Sequence, residues 1–248
     1  MSGPPWFYYP FDDIDTATLE LSGEEVTHII GARRLRVGDE LVLMNGRGKM
    51  AHCALEKADK KARRLSLRVS LIAEVQPAKS EFILASALPK GDRLPTMLDM
   101  ACQLGMTQFQ PLSFEYSVSK WNENLERRCE RILIEASKQS KTAIIPRVNP
   151  ICNFAKFIAD QEHISDLMLL ADQYGRPPAY YSSLIESANT ACILIGPEGG
   201  LSPQEVALAQ QQQLARLKLA SAVLRIETAA VAAVAVLQSA SQHNLQDN

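Results

Sequence analysis

Two apolar segments that run directly into unusual loops constrain the fold more than any other feature of the chain. The first, Ala191–Ile195, is followed by three glycines within Gly196–Gly200. The second, Leu214–Leu219, is followed by the loop Ala220–Glu227. Short apolar runs bounded by turn residues are typical of buried strands, and glycine lets the backbone adopt positive φ and lie close to a ligand. We therefore expect two buried strands whose ends carry loops suited to binding.

Each loop leads into a predicted helix. Ser202 is expected to cap the first helix, with Pro203 in its first turn and Glu205 three residues after the cap. Thr228 is expected to cap the second helix, which is rich in alanine and valine. Ligands of α/β sheets gather at the carboxyl ends of strands, where helix N-termini add N–H donors. The two loops are therefore predicted to outline one site, although the glycines alone would equally suit a turn that binds nothing.

The rest of the chain from residue 82 alternates between strand and helix patterns. Such alternation predicts an α/β domain with a parallel sheet covered by helices on both faces. The predicted strands are Phe82–Leu88, Gln108–Leu112 and Asp166–Ala171, and the predicted helices are Arg93–Leu104, Asn122–Ser140, Phe154–Gln161 and Ala179–Ala188.

Residues 1–73 show a different pattern and are predicted to form a small antiparallel β-module. The segment Glu40–Met44 alternates and runs into Asn45-Gly46, a strong hairpin signal. A short helical stretch is predicted at Glu24–Gly31. Residues 74–81 contain Pro77 and lack apolar periodicity, so they are predicted to link this module to a second domain at 82–242.

Composition excludes several classes of protein. The five cysteines and four histidines fall at no metal-ligand spacing, so we expect neither a metal site nor a cysteine–histidine pair. The glycine fingerprints of common dinucleotide and triphosphate sites are absent. No apolar run approaches the roughly 20 residues that span a bilayer, and the first nine residues lack a basic region typical of a signal peptide. A cytoplasmic protein without membrane contact is expected.

Positive charge is concentrated in the N-terminal part of the chain. Residues 33–68 contain eleven Lys or Arg against four Asp or Glu, although the whole chain has a net charge of −2. Such clustering favours contact with a nucleic-acid backbone over a merely solvated surface. The predicted phosphate contacts are Arg33, Arg34, Arg36, Arg47 and Lys49.

The segments Ile195–Ser202 and Leu224–Ala229 resemble the closing motifs of the SPOUT methyltransferases. Within that group the chain resembles the RsmE family, which methylates N3 of a uridine in small-subunit (16S) ribosomal RNA with S-adenosylmethionine. Further similarity includes Asn45–Gly48, which resembles the family's PUA-like barrel, and Lys90–Arg93, which resembles an early landmark of its catalytic domain.

The resemblance implies a SPOUT-type parallel sheet with a C-terminal trefoil knot, preceded by a PUA-like barrel. It also implies a homodimer with the helix Ala229–Ala240 at or near the interface. The cofactor S-adenosylmethionine would be bound by residues of the two loops and of one neighbouring strand. These residues are Ala171, Ile195, Gly196, Pro197, Gly199, Gly200, Leu219, Ala220, Val223, Leu224, Thr228 and Ala229.

The chain departs from the family where arginines are usual. Trp6, Tyr116, Thr142 and Ala222 stand at such positions, and Gln103 stands where glutamate is common. Missing arginines weaken phosphate binding or substrate orientation. Two interpretations follow: activity on the usual uridine is reduced, or RNA contacts have shifted to other basic residues. The candidates for shifted contacts are Lys90, Arg93, Lys138 and Lys141.

Three motif residues are candidates for chemistry. Arg225 is predicted to stabilise negative charge that develops on the uracil oxygens. Glu198 is predicted to accept the N3 proton, ahead of Glu227. Each glutamate also has a structural alternative, in bracing the glycine loop or in serving a helix N-terminus. A SPOUT enzyme acting on another RNA, and an RNA-binding or ribosome-assembly protein that has lost catalysis, remain competing hypotheses.

Overall fold

The computed structural model describes residues 3–12, 14, 17–22, 26, 29, 35–59, 61–117 and 121–241. These residues divide into two compact units. One comprises Met1–Pro77 together with Ser137–Ile145, and the other comprises Ala78–Ala136 together with Pro146–Asn248. Arg33, Arg34 and most of the predicted helical stretch at 24–31 lie outside the described residues.

The N-terminal unit is built on a curled β-sheet. Its strands are β1 (Trp6–Tyr8), β2 (Thr18–Ser22), β3 (Glu40–Met44), β4 (Lys49–Asp59) and β5 (Arg64–Glu74), in the spatial order β1-β3-β4-β5-β2. The neighbours pair antiparallel, as predicted, except that β1 pairs parallel with β3. Alternate residues of β4, namely Ala51, Cys53 and Leu55, are buried in the core. Register shifts within β4 and β5 mark irregularities of the kind that bend a sheet.

The predicted turn at Asn45-Gly46 joins β3 to β4. Asn45 is buried, and its Oδ1 accepts hydrogen bonds from the backbone N–H groups of Arg47 (2.8 Å) and Lys49 (3.1 Å). Its Nδ2 donates to the carbonyl of Phe11 at 3.1 Å. One polar side chain therefore shapes the turn and ties it to the preceding segment.

The segment Ser137–Ile145 belongs to the N-terminal unit, although the sequence pattern places it in the second domain. The Ile145 N–H donates to the carbonyl of Gly46 at 2.9 Å, and the Gly48 N–H donates to the carbonyl of Ala143 at 3.1 Å. A Cβ atom on Gly46 would lie 2.6 Å from Ile145 Cδ1. Glycine therefore permits this close packing, which no local pattern predicts.

The second unit is organised around a parallel sheet, which confirms the predicted α/β class. Its spatial order is β12-β10-β11-β6-β7-β8, with β9 paired to β7, and the neighbours pair in parallel. Burial is greatest in β11, where Ala191–Ile195 are almost wholly enclosed. The strands are β6 (Glu81–Ser86), β7 (Gln108–Ser113), β8 (Arg147–Val148), β9 (Cys152–Asn153), β10 (Leu167–Arg176), β11 (Thr190–Ile195) and β12 (Ala215–Leu217).

Helices connect these strands. They are α1 (Arg93–Gln103), α2 (Glu123–Ser140), α3 (Phe154–Ala159), α4 (Gln161–Ile164), α5 (Ser182–Ser187), α6 (Pro203–Gln211) and α7 (Ile226–Ser241). A 3-10 turn, Pro178–Tyr181, precedes α5, so the predicted helix Ala179–Ala188 is divided. Helix α7 packs against α1, α5, β6 and β11, whereas α3 packs against α6. The buried small residues Ala230 and Ala233 let α7 approach the sheet closely.

Candidate active site

A cavity of about 570 Å³ lies at the carboxyl ends of β10, β11 and β12. The residues after β11 line it on one side, and those after β12 line it on the other, with the end of β10 between them. The two loops singled out in the sequence therefore do outline one site. Its volume falls within the roughly 300–1,000 Å³ typical of small-molecule sites.

The loop after β11 is held by the predicted capping box. Ser202 Oγ accepts a hydrogen bond from the Glu205 N–H at 3.3 Å, and the Glu205 carboxylate accepts one from the Ser202 N–H at 2.8 Å. The second carboxylate oxygen of Glu205 accepts a hydrogen bond from the Glu115 N–H at 2.9 Å. Glu205 is only 8% exposed. A buried carboxylate thus fixes the glycine loop to the turn that follows β7, a role that the local motif does not reveal.

Two glycines of this loop line the cavity, and each position needs glycine for a different reason. Gly200 has φ +76°, and a Cβ atom built on it meets no atom within 4 Å. Its backbone conformation, rather than lack of space, therefore requires glycine. A Cβ atom on Gly196 would lie 2.8 Å from Leu201 Cδ1, so that side chain would have to move. A Cβ atom on Gly199 would lie 3.3 Å from the Cβ atom of Tyr116, and Gly199 does not line the cavity.

Helix α7 begins two residues before the predicted cap. The Ala229 N–H donates to the Arg225 carbonyl at 2.8 Å, so Arg225 occupies the capping position. The prediction that Thr228 caps this helix is wrong, because Ile226 and Glu227 already belong to its first turn. Thr228 is exposed and does not line the cavity. Arg225 is also exposed, and it lies between the cavity-lining residues Leu224 and Ile226.

Most residues predicted to bind the cofactor lie in the cavity wall. They are Ala171, Ile195, Gly196, Pro197, Gly200, Leu219, Ala220, Val223, Leu224 and Ala229, and the candidate base Glu198 lies there too. Sequence reasoning missed several polar lining residues, among them Asp172, Tyr174 and Arg216. Asp172 and Arg216 form an ion pair at 3.3 Å, and both side chains are largely buried. Strand β10 extends beyond its predicted end, which brings Asp172 and Tyr174 to the site.

Arg93, predicted to contact RNA, lies between the two candidate bases. Its Nη1 atom is 3.9 Å from Glu198 Oε1, and its Nε atom is 3.8 Å from Glu227 Oε1. The Glu227 side chain is 17% exposed, and none of the described residues offers its buried Oε2 atom a hydrogen bond. A buried carboxylate is costly without a partner. Arg93 therefore supplies the nearby positive charge that offsets this cost and joins the glycine loop to the start of α7.

The other predicted RNA contacts lie in different surroundings. Arg47 forms an ion pair with Asp12 and donates to the Phe11 carbonyl at 3.2 Å. Lys49 Nζ donates to the Asp12 carbonyl at 2.9 Å. Arg36 in the N-terminal unit and Lys90 in the second unit are exposed. The side chains of Arg47 and Lys49 thus contact the chain itself, whereas Arg36 and Lys90 face solvent.

Family models match both units. The model described as an RNA methyltransferase domain matches residues 76–238, and the model described as an RNA methyltransferase PUA domain matches residues 21–65. The chain belongs to the RNA methyltransferase family. The N-terminal unit is PUA-like, as predicted.

Relatives of this RNA methyltransferase match over nearly its whole length. Ribosomal RNA small subunit methyltransferase E of Bacillus subtilis is 26% identical over 232 residues, which cover 90% of each chain. The protein of the same name from Mycobacterium tuberculosis is 27% identical over 224 residues, covering 88% of this chain and 85% of the relative. The aligned residues span both units, and these relatives confirm the resemblance to RsmE-type enzymes.

Solved structures of methyltransferases share the fold. A methyltransferase from Legionella pneumophila in complex with S-adenosylmethionine gives a TM-score of 0.85 at 27% identity, covering 96% of this chain and 98% of that chain. Ribosomal RNA small subunit methyltransferase E from Neisseria gonorrhoeae gives a TM-score of 0.84 at 23% identity, covering 95% of this chain and 97% of that chain. The likeness to the Neisseria gonorrhoeae structure, at 23% identity, shows a shared fold alone.

Three buried cysteines of this methyltransferase, Cys53, Cys129 and Cys192, are core residues rather than nucleophiles. Burial raises the pKa of the Cys53 thiol to about 11 and that of Cys129 to about 12. Burial also raises the pKa of Cys192 well above its usual range. A thiol is nucleophilic as the thiolate, so these groups stay protonated and unreactive. Among the described residues, no group of His, Cys, Asp or Glu is arranged to hold a metal ion, and no helix is long and apolar enough to cross a membrane.

Proposed function

We propose that the protein transfers a methyl group from S-adenosylmethionine to N3 of a uridine in small-subunit ribosomal RNA. The observation that carries this proposal is the cavity at the ends of β10, β11 and β12, which gathers residues of both closing motifs within a matched RNA methyltransferase domain. The relatives named for methylation of small-subunit ribosomal RNA support the substrate class. The predicted cytoplasmic location suits such a substrate.

The cavity fits an adenosine-bearing cofactor. Small apolar side chains at Ala171, Ala220 and Ala229 leave room for a flat ring system, and Gly200 presents bare backbone with open space beside it. Asp172 and Arg216 provide charged groups in the same wall. The bound S-adenosylmethionine in the Legionella relative supports this assignment. When bound, this cofactor supplies a methyl group activated by its sulfonium.

The protein's own contribution to the reaction is to orient uracil and remove its N3 proton. Glu198 lines the cavity with its side chain 29% exposed, so it can accept that proton. Glu227 is more enclosed and does not line the cavity, which makes it the weaker candidate. Arg225 is exposed beside the cavity and is free to donate to uracil oxygens as they gain negative charge.

Arg93 is expected to act through Glu198 rather than on the substrate. Its guanidinium lies near both glutamates, so it keeps the Glu198 carboxylate at the cavity while neutralising part of the acidic charge there. Negative charge on Glu198 is what proton removal requires. The proposed RNA contacts at Arg36 and Lys90 remain open to a phosphate backbone.

We also propose the trefoil knot and the homodimer that characterise SPOUT enzymes. The chain leaves β11, forms α6 and returns as β12 on the far side of β10, an order that suits a threaded loop.

The alanine-rich helix α7 is the proposed contact of the homodimer. Light scattering coupled to size-exclusion chromatography would test it, and a mass of one chain at micromolar concentration would contradict it.

A second candidate function is methylation of a different RNA by the same cavity. Ala222 lines the cavity at a position where RsmE enzymes usually have arginine. The loss of that charge favours an altered RNA contact at this edge of the site. A third candidate, an RNA-binding protein without catalysis, would also lack the arginine but would have no need of the cofactor.

Two experiments separate these functions. Calorimetry of the purified protein with S-adenosylmethionine should give binding, and no binding would favour the RNA-binding protein. Deletion of the gene, followed by nucleoside mass spectrometry of small-subunit RNA, should abolish one 3-methyluridine. Loss of a different modified nucleoside would favour the second candidate. Restoration of the mark by the wild-type gene, but not by a Glu198→Gln gene, would tie it to this site.

A further inference from the structure

Strand β10 carries a bulge of four residues where it meets the cavity. Ala171 and Arg176 both pair with Leu217 of β12, so the residues Asp172–Gly175 are looped out opposite a single partner. Within this bulge, the Tyr174 N–H donates to Asp172 Oδ1 at 2.8 Å. Bulges near active sites commonly re-aim a side chain. Here the re-aimed residues are Gln173 and Tyr174, and both line the cavity.

The bulge is anchored to β12 around one residue, Arg216. The Arg216 guanidinium pairs with the Asp172 carboxylate at 3.3 Å, and its backbone carbonyl accepts a hydrogen bond from Tyr181 Oη at 3.0 Å. A Cβ atom on Gly175 would lie 2.4 Å from that same carbonyl oxygen. The close approach therefore requires glycine. A segment held in this way presents its tip in a fixed position.

The tip of the bulge is an aromatic ring in solvent. Tyr174 is 81% exposed, although it lines the cavity. Val223, in the loop after β12, is 83% exposed and lines the same cavity. Both exposed side chains therefore stand at the mouth of one cavity, where a bound ligand would cover them. A planar ring fits best against Tyr174, because aromatic faces stack on nucleobases of any sequence.

We propose that Tyr174 is a stacking platform for a nucleobase at the mouth of the cavity. This proposal rests on the proposed function, which brings two nucleobases to the site: the adenine of the cofactor and the uracil that must leave its RNA stack to be methylated. Both present the same flat π-face. The anchored bulge holds the Tyr174 ring at the mouth of the cavity, where the face of the nucleobase can stack on it.

The test compares four proteins: wild type, Tyr174→Ala, Tyr174→Phe and Tyr180→Ala. Tyr180 is the matched control. It is 64% exposed, its ring makes a cation–π contact with the Arg176 guanidinium, and it does not line the cavity. One arm measures the dissociation constant of S-adenosylmethionine by calorimetry. The other measures KM and kcat for methylation of small ribosomal subunits purified from a strain that lacks the gene. Thermal melting of each variant reports folding, which substitution of an exposed ring should leave unchanged.

Stacking predicts a loss of about tenfold in one arm for Tyr174→Ala, with Tyr174→Phe and Tyr180→Ala close to wild type. Weaker cofactor binding would assign the platform to adenine, whereas a raised KM for subunits with normal cofactor binding would assign it to the RNA base. Unchanged values in both arms, or an equal loss in Tyr180→Ala, would overturn the proposal. If the wild type bound no cofactor and methylated nothing, the proposed function would fail instead, and direct binding of the subunits would still test Tyr174.

Discussion

Glu205 offers the most direct test of how the glycine loop is held in place. Its buried carboxylate accepts hydrogen bonds from the Ser202 N–H at 2.8 Å and from the Glu115 N–H at 2.9 Å. Glu205→Ala removes both acceptors and leaves the N–H of the fully buried Ser202 without a partner. A hydrogen bond to a charged group contributes about 1.5–3 kcal/mol. We therefore expect the free energy of unfolding to fall by about 3 kcal/mol, after allowing for the relieved cost of burying a charge.

The assay is thermal or urea unfolding followed by circular dichroism. A loss of about 3 kcal/mol in a chain of this size lowers Tm by roughly 6–12 °C. Glu205→Gln keeps one acceptor oxygen and should lose about half as much. Gln204→Ala, at an exposed position on the same turn, is the control and should leave Tm unchanged within about 2 °C. A loss below about 1 kcal/mol for Glu205→Ala would refute the reasoning, as would equal losses for alanine and glutamine.

The remaining predictions concern binding and chemistry. Gly200→Ala should fold with a loss of about 1 kcal/mol, because its φ of +76° is strained for alanine, and should bind S-adenosylmethionine at least about tenfold more weakly by calorimetry; normal binding would leave Gly200 with a purely structural role. Arg93→Ala should lower kcat with little change in KM for RNA, and Arg93→Lys should recover part of it; a raised KM alone would restore the assignment of Arg93 to RNA contact. Arg36→Gln should reduce the salt slope of RNA binding by about one unit, and an unchanged slope would mean that this side chain is merely solvated.

Local patterns predict part of the frame of the cavity, namely β11, the start of α6 and the parallel sheet. The apolar run Ala191–Ile195 predicts β11 because a buried strand needs no polar face. Ser202 and Glu205 predict the start of α6 because a capping box depends only on residues three apart. The parallel sheet follows from the alternation of strand and helix patterns. Each of these predictions relies on interactions between residues that are near in sequence.

The features that were missed depend on partners far along the chain. The bulge Asp172–Gly175 contacts Arg216, about forty positions further along the chain, and no neighbouring motif marks the close approach of Gly175. The pairing of Ile145 with Gly46 joins residues about one hundred positions apart. The position of Arg93 between two glutamates likewise depends on distant residues, because the start of α1 lies beside the loop after β11 and the first turn of α7. Sequence spacing carries no signal for contacts of this kind.

We propose that methyl transfer to a uridine of small-subunit RNA takes place in this cavity. The most direct measurement is a single-turnover reaction between the purified protein, methyl-labelled S-adenosylmethionine and small ribosomal subunits from the deletion strain, with the product mapped by mass spectrometry. We expect one labelled 3-methyluridine per subunit, and a rate that falls at least about a hundredfold in Arg225→Ala while cofactor affinity stays within about threefold. Cofactor binding without label in the RNA, or label on another atom or nucleoside, would contradict methylation of uridine N3 by this site.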